Sequence, residues 1–246
     1  MLYGLDRVYL ELLAPSGIGP VADALRHHID KNGEGLFGLA LGTPDLDGTL
    51  VQMQARGFPP TTVATGDGHD TATGARRSWR SCVLPLTETR GVLVLGIEHA
   101  ATAAALSLAR ASSAEESTLH GIDHAVVRSV DADASIAIWG GKLGLRCALD
   151  RRFEAFDARM VFFRVGGVTI EIVAPLDAAA DGGNATADTL FGLSWKTANV
   201  HAARQRLADS GFDVSPVRAG RRPGTNVFSV HSGTLGIPTL VLGPDV

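Results

Sequence analysis

Glu171 is the lone carboxylate in Gly167-Val168-Thr169-Ile170-Glu171-Ile172-Val173-Ala174-Pro175, a stretch otherwise built from residues that favour a buried β-strand. An ionised carboxylate in such a strand is costly unless it is paired, hydrogen-bonded or bound to a cation. A similar pattern surrounds Glu11 in Val8-Tyr9-Leu10-Glu11-Leu12-Leu13-Ala14-Pro15. Arginines gather twice, as Arg76, Arg77 and Arg80 around Trp79 and as Arg218, Arg221 and Arg222. Guanidinium groups grip carboxylates and phosphates in bidentate fashion, so Arg221 and Arg222 are candidate contacts for an anionic substrate, with a solvated loop as the alternative. His27 and His28 fall on a predicted helix surface, Glu98-His99 on a strand end, and His231 at the end of another strand; these read as solvated or structural. No Ser-His-Asp order, phosphate loop or dinucleotide fingerprint stands out, and Gly66-Asp67-Gly68 is too short for a nucleotide loop.

The elements that must position these residues follow a recurring order. Val21, Leu25 and Ile29 recur every four residues, which predicts a short amphipathic helix ended by Asn32-Gly33. A strand at 36–43 is followed by a helix from Pro44 to about Arg56, stopped by Gly57. Residues 60–75, rich in Thr, Gly and Asp, read as a loop or weak hairpin, and strands follow over 80–86 and 91–97. Ala/Ser-rich residues 99–118 read as a helical linker. The order then restarts, with a strand at 122–127, a helix at 132–143, and strands near 145–150, 159–165 and 168–174. After a Gly/Ala/Asp loop at 177–189 comes a strand at 190–197, a helix at 200–210, and strands near 213–218, 225–231 and 237–242.

Leu36-Phe37-Gly38-Leu39 recurs 154 residues later as Leu190-Phe191-Gly192-Leu193, and Glu11 recurs 160 residues later as Glu171. Offsets this close imply a duplicated unit made of strand-helix-strand-strand-strand modules. The expected fold is therefore α+β, with βαβββ modules pairing in twos. The repeat arithmetic leads to the expectation that the first module is without its opening strand, helix and middle strands, roughly forty residues. Strand 7–13 is then expected to leave unpaired edges that favour association, with a homodimer as one result. The expected domains are an N-terminal one over 1–98, a linker over 99–118 and a C-terminal one over 119–246.

A net charge of −4 gives no support for a nucleic-acid footprint, which needs a basic patch. Cys82 and Cys147 fit no zinc spacing and form no disulfide framework, which suits a reducing compartment. No apolar run of about 18 residues is present, and Asp6, Arg7 and Glu11 interrupt the stretch a signal peptide would need. The expectation is a cytoplasmic protein with a small-molecule partner.

The βαβββ module used in tandem resembles the vicinal oxygen chelate superfamily, which includes glyoxalase I, extradiol dioxygenases, bleomycin-resistance proteins and methylmalonyl-CoA epimerase. Ile122-Asp123-His124-Ala125-Val126-Val127 is similar to the family's first strand with its metal-binding His. The stretch 168–175 is similar to its last strand with a metal-binding Glu, and Leu190 to Trp195 to the strand opening the second module. The resemblance implies His124 and Glu171 as ligands of a divalent metal ion in a cupped sheet, with Glu171 also catalytic. It departs at Gly38 and Gly192, where metal-binding members usually offer a second His, and at Leu95 and Leu240, where they can offer a second carboxylate. The alternative is a hydrogen-bonded His124/Glu171 pair in a relict cup, and for Glu11 a structural role.

Two functions follow. One is a glyoxalase/dioxygenase-like enzyme, a lyase, isomerase or dioxygenase, whose cation polarises the vicinal oxygens of a small oxygen-rich metabolite. The other is a metal-free protein that binds or sequesters a small molecule, as bleomycin-resistance proteins do.

Overall fold

The computed structural model describes residues 1–71, 74–100, 115–177 and 187–245. In chain order these form β1 (Leu2–Gly4), β2 (Tyr9–Glu11), α1 (Pro20–Asn32), β3 (Leu39–Gly42), α2 (Leu46–Ala55), β4 (Ala64–His69), β5 (Arg76–Val83) and β6 (Val94–His99). Then come β7 (Leu119–Arg128), α3 (Ala132–Ile136), β8 (Arg146–Phe153), β9 (Ala158–Val165) and β10 (Val168–Pro175). The last run is β11 (Thr189–Thr197), α4 (Val200–Asp209), β12 (Arg218–Ala219), β13 (Thr225–Val230) and β14 (Thr239–Pro244). The fold is α+β with mixed sheets built from βαβββ modules. Most of the predicted helical linker at 99–118 lies outside the described residues.

The chain divides into two compact units, residues 1–37, 108–126 and 191–246 in the first, and 38–107 and 127–190 in the second. In the first unit β13 lies antiparallel between β12 and β14, and β14 runs parallel to β11. Helix α4 covers one face of these strands. Val200, Ala203 and Leu207 pack on Phe228, Val230 and Val241, with Trp195 against them. In the second unit the strand order is β3-β6-β5-β4 in one module and β10-β9-β8 in the other. The two share a core in which Leu46, Leu50 and Phe58 join Trp139, Phe163 and Ile172.

Helices α2, α3 and α4 start in the same way. Asp45, Asp131 and Asn199 occupy the N-caps, and their side chains accept from the backbone N–H of Gly48, Ala134 and Ala202 at 2.9, 2.9 and 3.0 Å. Each cap satisfies a donor that the first helical turn leaves without an intrahelical partner. Helix α3 passes into a π-helical turn over Ala137–Lys142, which buries Ile138 and Trp139.

The structure corrects several expectations at the N-terminal end. The strand around Glu11 shrinks to the three residues of β2, which among the described residues pairs with β1 alone, and Glu11 is exposed. With Leu12 44 % and Leu13 48 % exposed, no second layer among the described residues buries the apolar run. The buried-charge cost therefore does not apply to Glu11, and its match to Glu171 is one of sequence pattern alone. On α1 the buried positions are Ala22 and Leu25, whereas Val21 is exposed. His28, expected to be solvated, sets its ring edge-on against Phe37 at 5.1 Å between centroids. Of the loop or weak hairpin read over 60–75, the structure shows the hairpin: Gly66-Asp67-Gly68 is the middle of β4, which pairs antiparallel with β5. Trp79 and Arg77 on β5 lie across it, and a Cβ at Gly66 would meet the indole at 2.5 Å, so glycine permits the close approach.

Candidate ligand cleft and the histidine beside it

β7 neighbours β11 in strand order. Trp195 points into the core under α4, so the alternation of strand side chains sends Ser194 and Lys196 to the opposite face. There Ser194 meets His124: its Oγ lies 2.7 Å from Nε2, while Asp123 Oδ2 lies 2.9 Å from Nδ1. With Asp123 ionised, Nδ1 carries the proton and donates it, and Nε2 accepts from the Ser194 hydroxyl; the hydrogen-bond pattern assigns this tautomer. The hydrogen bond from His124 holds the Asp123 carboxyl below the usual carboxylate range against the opposing effect of burial, and the nearby charges of Lys196 and Arg222 add to it.

Asp123 also borders a cleft of about 360 Å³ whose other walls include His120, Lys196, Arg222, Thr225 and Gly243. Its volume suits a small metabolite. His120 is anchored by Asp6, whose Oδ2 lies 2.5 Å from Nδ1 and whose backbone N–H donates to the His120 carbonyl at 2.9 Å. Arg222 sits in the tight connection between β12 and β13. There Gly220 N–H donates to the Thr225 carbonyl at 2.7 Å, the Thr225 hydroxyl donates to the Arg222 carbonyl at 2.5 Å, and Gly224 takes φ +72°. Non-glycine residues rarely adopt that φ, so glycine lets the chain fold back and leave Arg222 at the rim. The wall is two cations and a histidine around one carboxylate, an arrangement that favours a small anion able to accept several hydrogen bonds.

Of the residues singled out from sequence, Arg222 lines this cleft and Arg221 does not. His124 lies beside it through Asp123. Glu171, on β10 of the second unit, is 6 % exposed and stands opposite Phe162 of β9. Ile170 and Ile172 belong to the core of that unit, so alternation places Glu171 on the other face of the strand. The other arginine cluster is structural. Arg80 forks onto Asp47 at 2.7 and 3.0 Å and reaches Glu98 at 3.4 Å, and the Arg77 guanidinium stacks 4.9 Å from the Trp79 ring centroid. Sequence reasoning missed His120, Asp123, Ser194 and Lys196. The signal available was alternation: Ser194 and Lys196 share a strand face two residues apart, and Asp123 precedes His124.

The donor set around His124 does not fit a resident divalent cation. Both ring nitrogens are engaged, so a metal at Nε2 would have to displace Ser194. Position 192 is closed as well: a Cβ there would stand 2.7 Å from the Pro238 carbonyl oxygen, a backbone atom that yields little. Leu240, opposite Ser194 in the register of β14 and β11, brings no donor. Among the described residues no three His, Cys, Asp or Glu side chains come together to hold a metal.

Comparison with known proteins agrees with the fold. The model of the Glyoxalase/Bleomycin resistance protein/Dioxygenase superfamily matches residues 123–228, and that of the Glyoxalase-like domain matches residues 1–143. Among solved structures, the chain is similar to methylmalonyl-CoA epimerase from Mycobacterium tuberculosis, with 19 % identity over 55 % of this chain and 95 % of that one and a TM-score of 0.45. The epimerase of Streptomyces coelicolor, as a variant in complex with 2-nitronate-propionyl-CoA, gives 19 % over 52 % and 100 % with a TM-score of 0.43. A hypothetical protein from Bacillus halodurans C-125 gives 15 % over 51 % and 94 % with a TM-score of 0.44. No curated protein matches. Among the described residues no helix is long and apolar enough to cross a membrane. The family model covering residues 1–143 spans more than half of the sequence, and the chain belongs to the glyoxalase-like proteins of the vicinal oxygen chelate superfamily.

Proposed function

We propose that the chain binds a small, oxygen-rich anion, a carboxylate or phosphate ester, in the cleft of its first unit, and does so without a resident metal. The observation that carries this reading is the convergence of Lys196, Arg222 and His120 on one cleft that also contains Asp123. The cations attract and orient the anion, and Asp123 accepts a hydroxyl of the same ligand, which selects oxygen-rich molecules over bare anions. His124, fixed by Asp123 and Ser194, holds that carboxylate in place. Calorimetric titration against small dicarboxylates, hydroxy acids and phosphate esters tests the proposal. Lys196→Ala and Arg222→Ala are each expected to weaken the best ligand by about 10- to 100-fold, the worth of one hydrogen bond to a charged group. Wild-type affinity in both variants, or no binding by any member of the set, contradicts it.

A second reading assigns Glu171 a catalytic role with a divalent metal, and its burial at 6 % exposure favours it, because an ionised carboxylate removed from water gains from binding a cation. On that reading Glu171→Gln, which keeps the side-chain shape, lowers the divalent-metal content of protein purified without chelator at least tenfold. Unchanged metal content in a folded variant removes the second reading and leaves the first intact.

A further inference from the structure

Strand β3 stands at one end of the order β3-β6-β5-β4 in the second unit. Its bonds to β6 come from alternate residues, with Leu39 N–H donating to the Leu93 carbonyl and Thr43 N–H to the Ile97 carbonyl, each at 2.9 Å. Along a strand the N–H and C=O of one residue point to the same side. Those of Ala40 and Gly42 therefore point away from β6, and both residues are exposed. An open edge of this kind is a template for another strand, and proteins blunt it with charges, proline, a bulge or extreme shortness. The other terminal strands carry such devices. β4 has Asp67 and His69, and β12 is two residues long, one of them Arg218. β8 has Arg146, Asp150, Arg151 and Arg152, with a bulge between Cys147 and Leu149. Leu39-Ala40-Leu41-Gly42 has no charge and no proline. The internal repeat shows what covers an edge in this position. Leu36-Phe37-Gly38-Leu39 leads into β3 as Leu190-Phe191-Gly192-Leu193 lies in β11, and each strand runs parallel to the last strand of its module, β6 or β14. The other side of β11 is taken by β7, whereas among the described residues no strand takes the other side of β3. Small and uncharged at its exposed positions, this edge is complementary to itself, since a two-fold axis brings no like charges together.

We propose that the open edge of β3 pairs with the β3 edge of a second copy of this chain, antiparallel about a two-fold axis. Each copy then donates from Ala40 and Gly42 and accepts at the same two residues, and the two sheets become one. The inference is independent of the anion cleft, which lies in the other unit. Sedimentation velocity of the full chain over a concentration series tests it, together with amide hydrogen exchange at both ends of the series. The wild type is expected to pass from monomer to dimer, with the Ala40 and Gly42 amides protected in the dimer and open in the monomer. Ala40→Pro removes a donor from the open side alone and leaves the bonds to β6 in place. Gly42→Lys sets a charge on the edge, at a position where a Cβ meets nothing within 4 Å. Each is expected to raise the dimer Kd by at least about tenfold, the first through two lost hydrogen bonds and the second through like charges across the seam. Anion binding in the first unit is expected to stay as in wild type. Gly42→Lys decides the matter by itself if the proline variant does not fold. A wild type that stays monomeric throughout the series, or a dimer that the substitutions leave intact, overturns the proposal.

Discussion

Single residues show how far chemistry can be read from type and spacing. Glu171 is buried as its surroundings demanded, whereas Glu11 in a near-copy of those surroundings is exposed. A run of apolar residues records a tendency to be covered, and only the presence of a second layer decides whether it is. Gly192 carries more information as an obstruction than as an absence, because the Pro238 carbonyl fills the space a side chain would need. Arg159 makes the clearest residue-scale prediction. It donates to both oxygens of Asp150, at 2.8 and 2.7 Å, and to Asp133 at 2.8 Å. That hydrogen bond holds the Asp150 carboxyl below its ordinary value, with burial opposing. A depressed carboxylate stabilises the fold above its unfolded pKa, about 3.9, and loses that contribution as pH falls through its lower folded value. Asp150 is 36 % exposed, so solvent screening reduces the effect. Urea midpoints of wild type and Asp150→Asn are therefore expected to differ at neutral pH and to converge as pH drops below about 4. Parallel curves would show that the pair contributes nothing.

Elements were more legible than residues. The three capped helices follow a shared phrase, Thr43-Pro-Asp45, Ser129-Val-Asp131 and Thr197-Ala-Asn199. Asp45 and Asn199 are separated by the same 154 residues as Gly38 and Gly192. Hydroxyl-to-cap spacing is a local signal, since the hydroxyl and the cap bond to each other's backbone neighbourhood, and it marks the start of each helix directly. β4 was only half legible, as the weak-hairpin alternative to a loop over 60–75, because its two glycines lower strand propensity while they accommodate Trp79 and Arg77 from the adjacent strand. The contact that joins the two modules of the second unit could not be seen either, because its partners are far apart in the chain. Asp188 has a side chain with 0 % exposure and accepts from Arg90 Nε at 3.1 Å and from the Ser135 hydroxyl at 2.6 Å. Ser135 is itself within 2.8 Å of Ser129. Asp188→Ala leaves Arg90 without its buried counter-charge and is expected to cost roughly 3–5 kcal/mol in urea unfolding. A cost below about 1 kcal/mol, the value of an exposed pair, would mean that the network is dispensable.

At the scale of the whole molecule, the βαβββ order was visible from periodicity and turn residues, and one family model matches residues 123–228, within the last two modules. The domain limits 1–98, 99–118 and 119–246 are a division by chain order, while the compact units are a division by contact. The second unit draws on 38–107 and 127–190, and the first on what remains. Interleaving of this kind escapes sequence reading because apolar patterns specify which face is covered but not by which module. The cleft of the first unit takes His120 and Asp123 from before the second unit's return, with Asp6 anchoring His120, and Lys196, Arg222 and Gly243 from after it. The most direct test is to map backbone amide shifts of the full chain as the tightest-binding anion is added. The expected result is that the largest shifts fall on residues 196–198, 222, 224–225 and 242–243, and that Arg222→Ala abolishes them at the same ligand concentration. Shifts centred on the second unit, or unchanged by Arg222→Ala, would contradict the assignment.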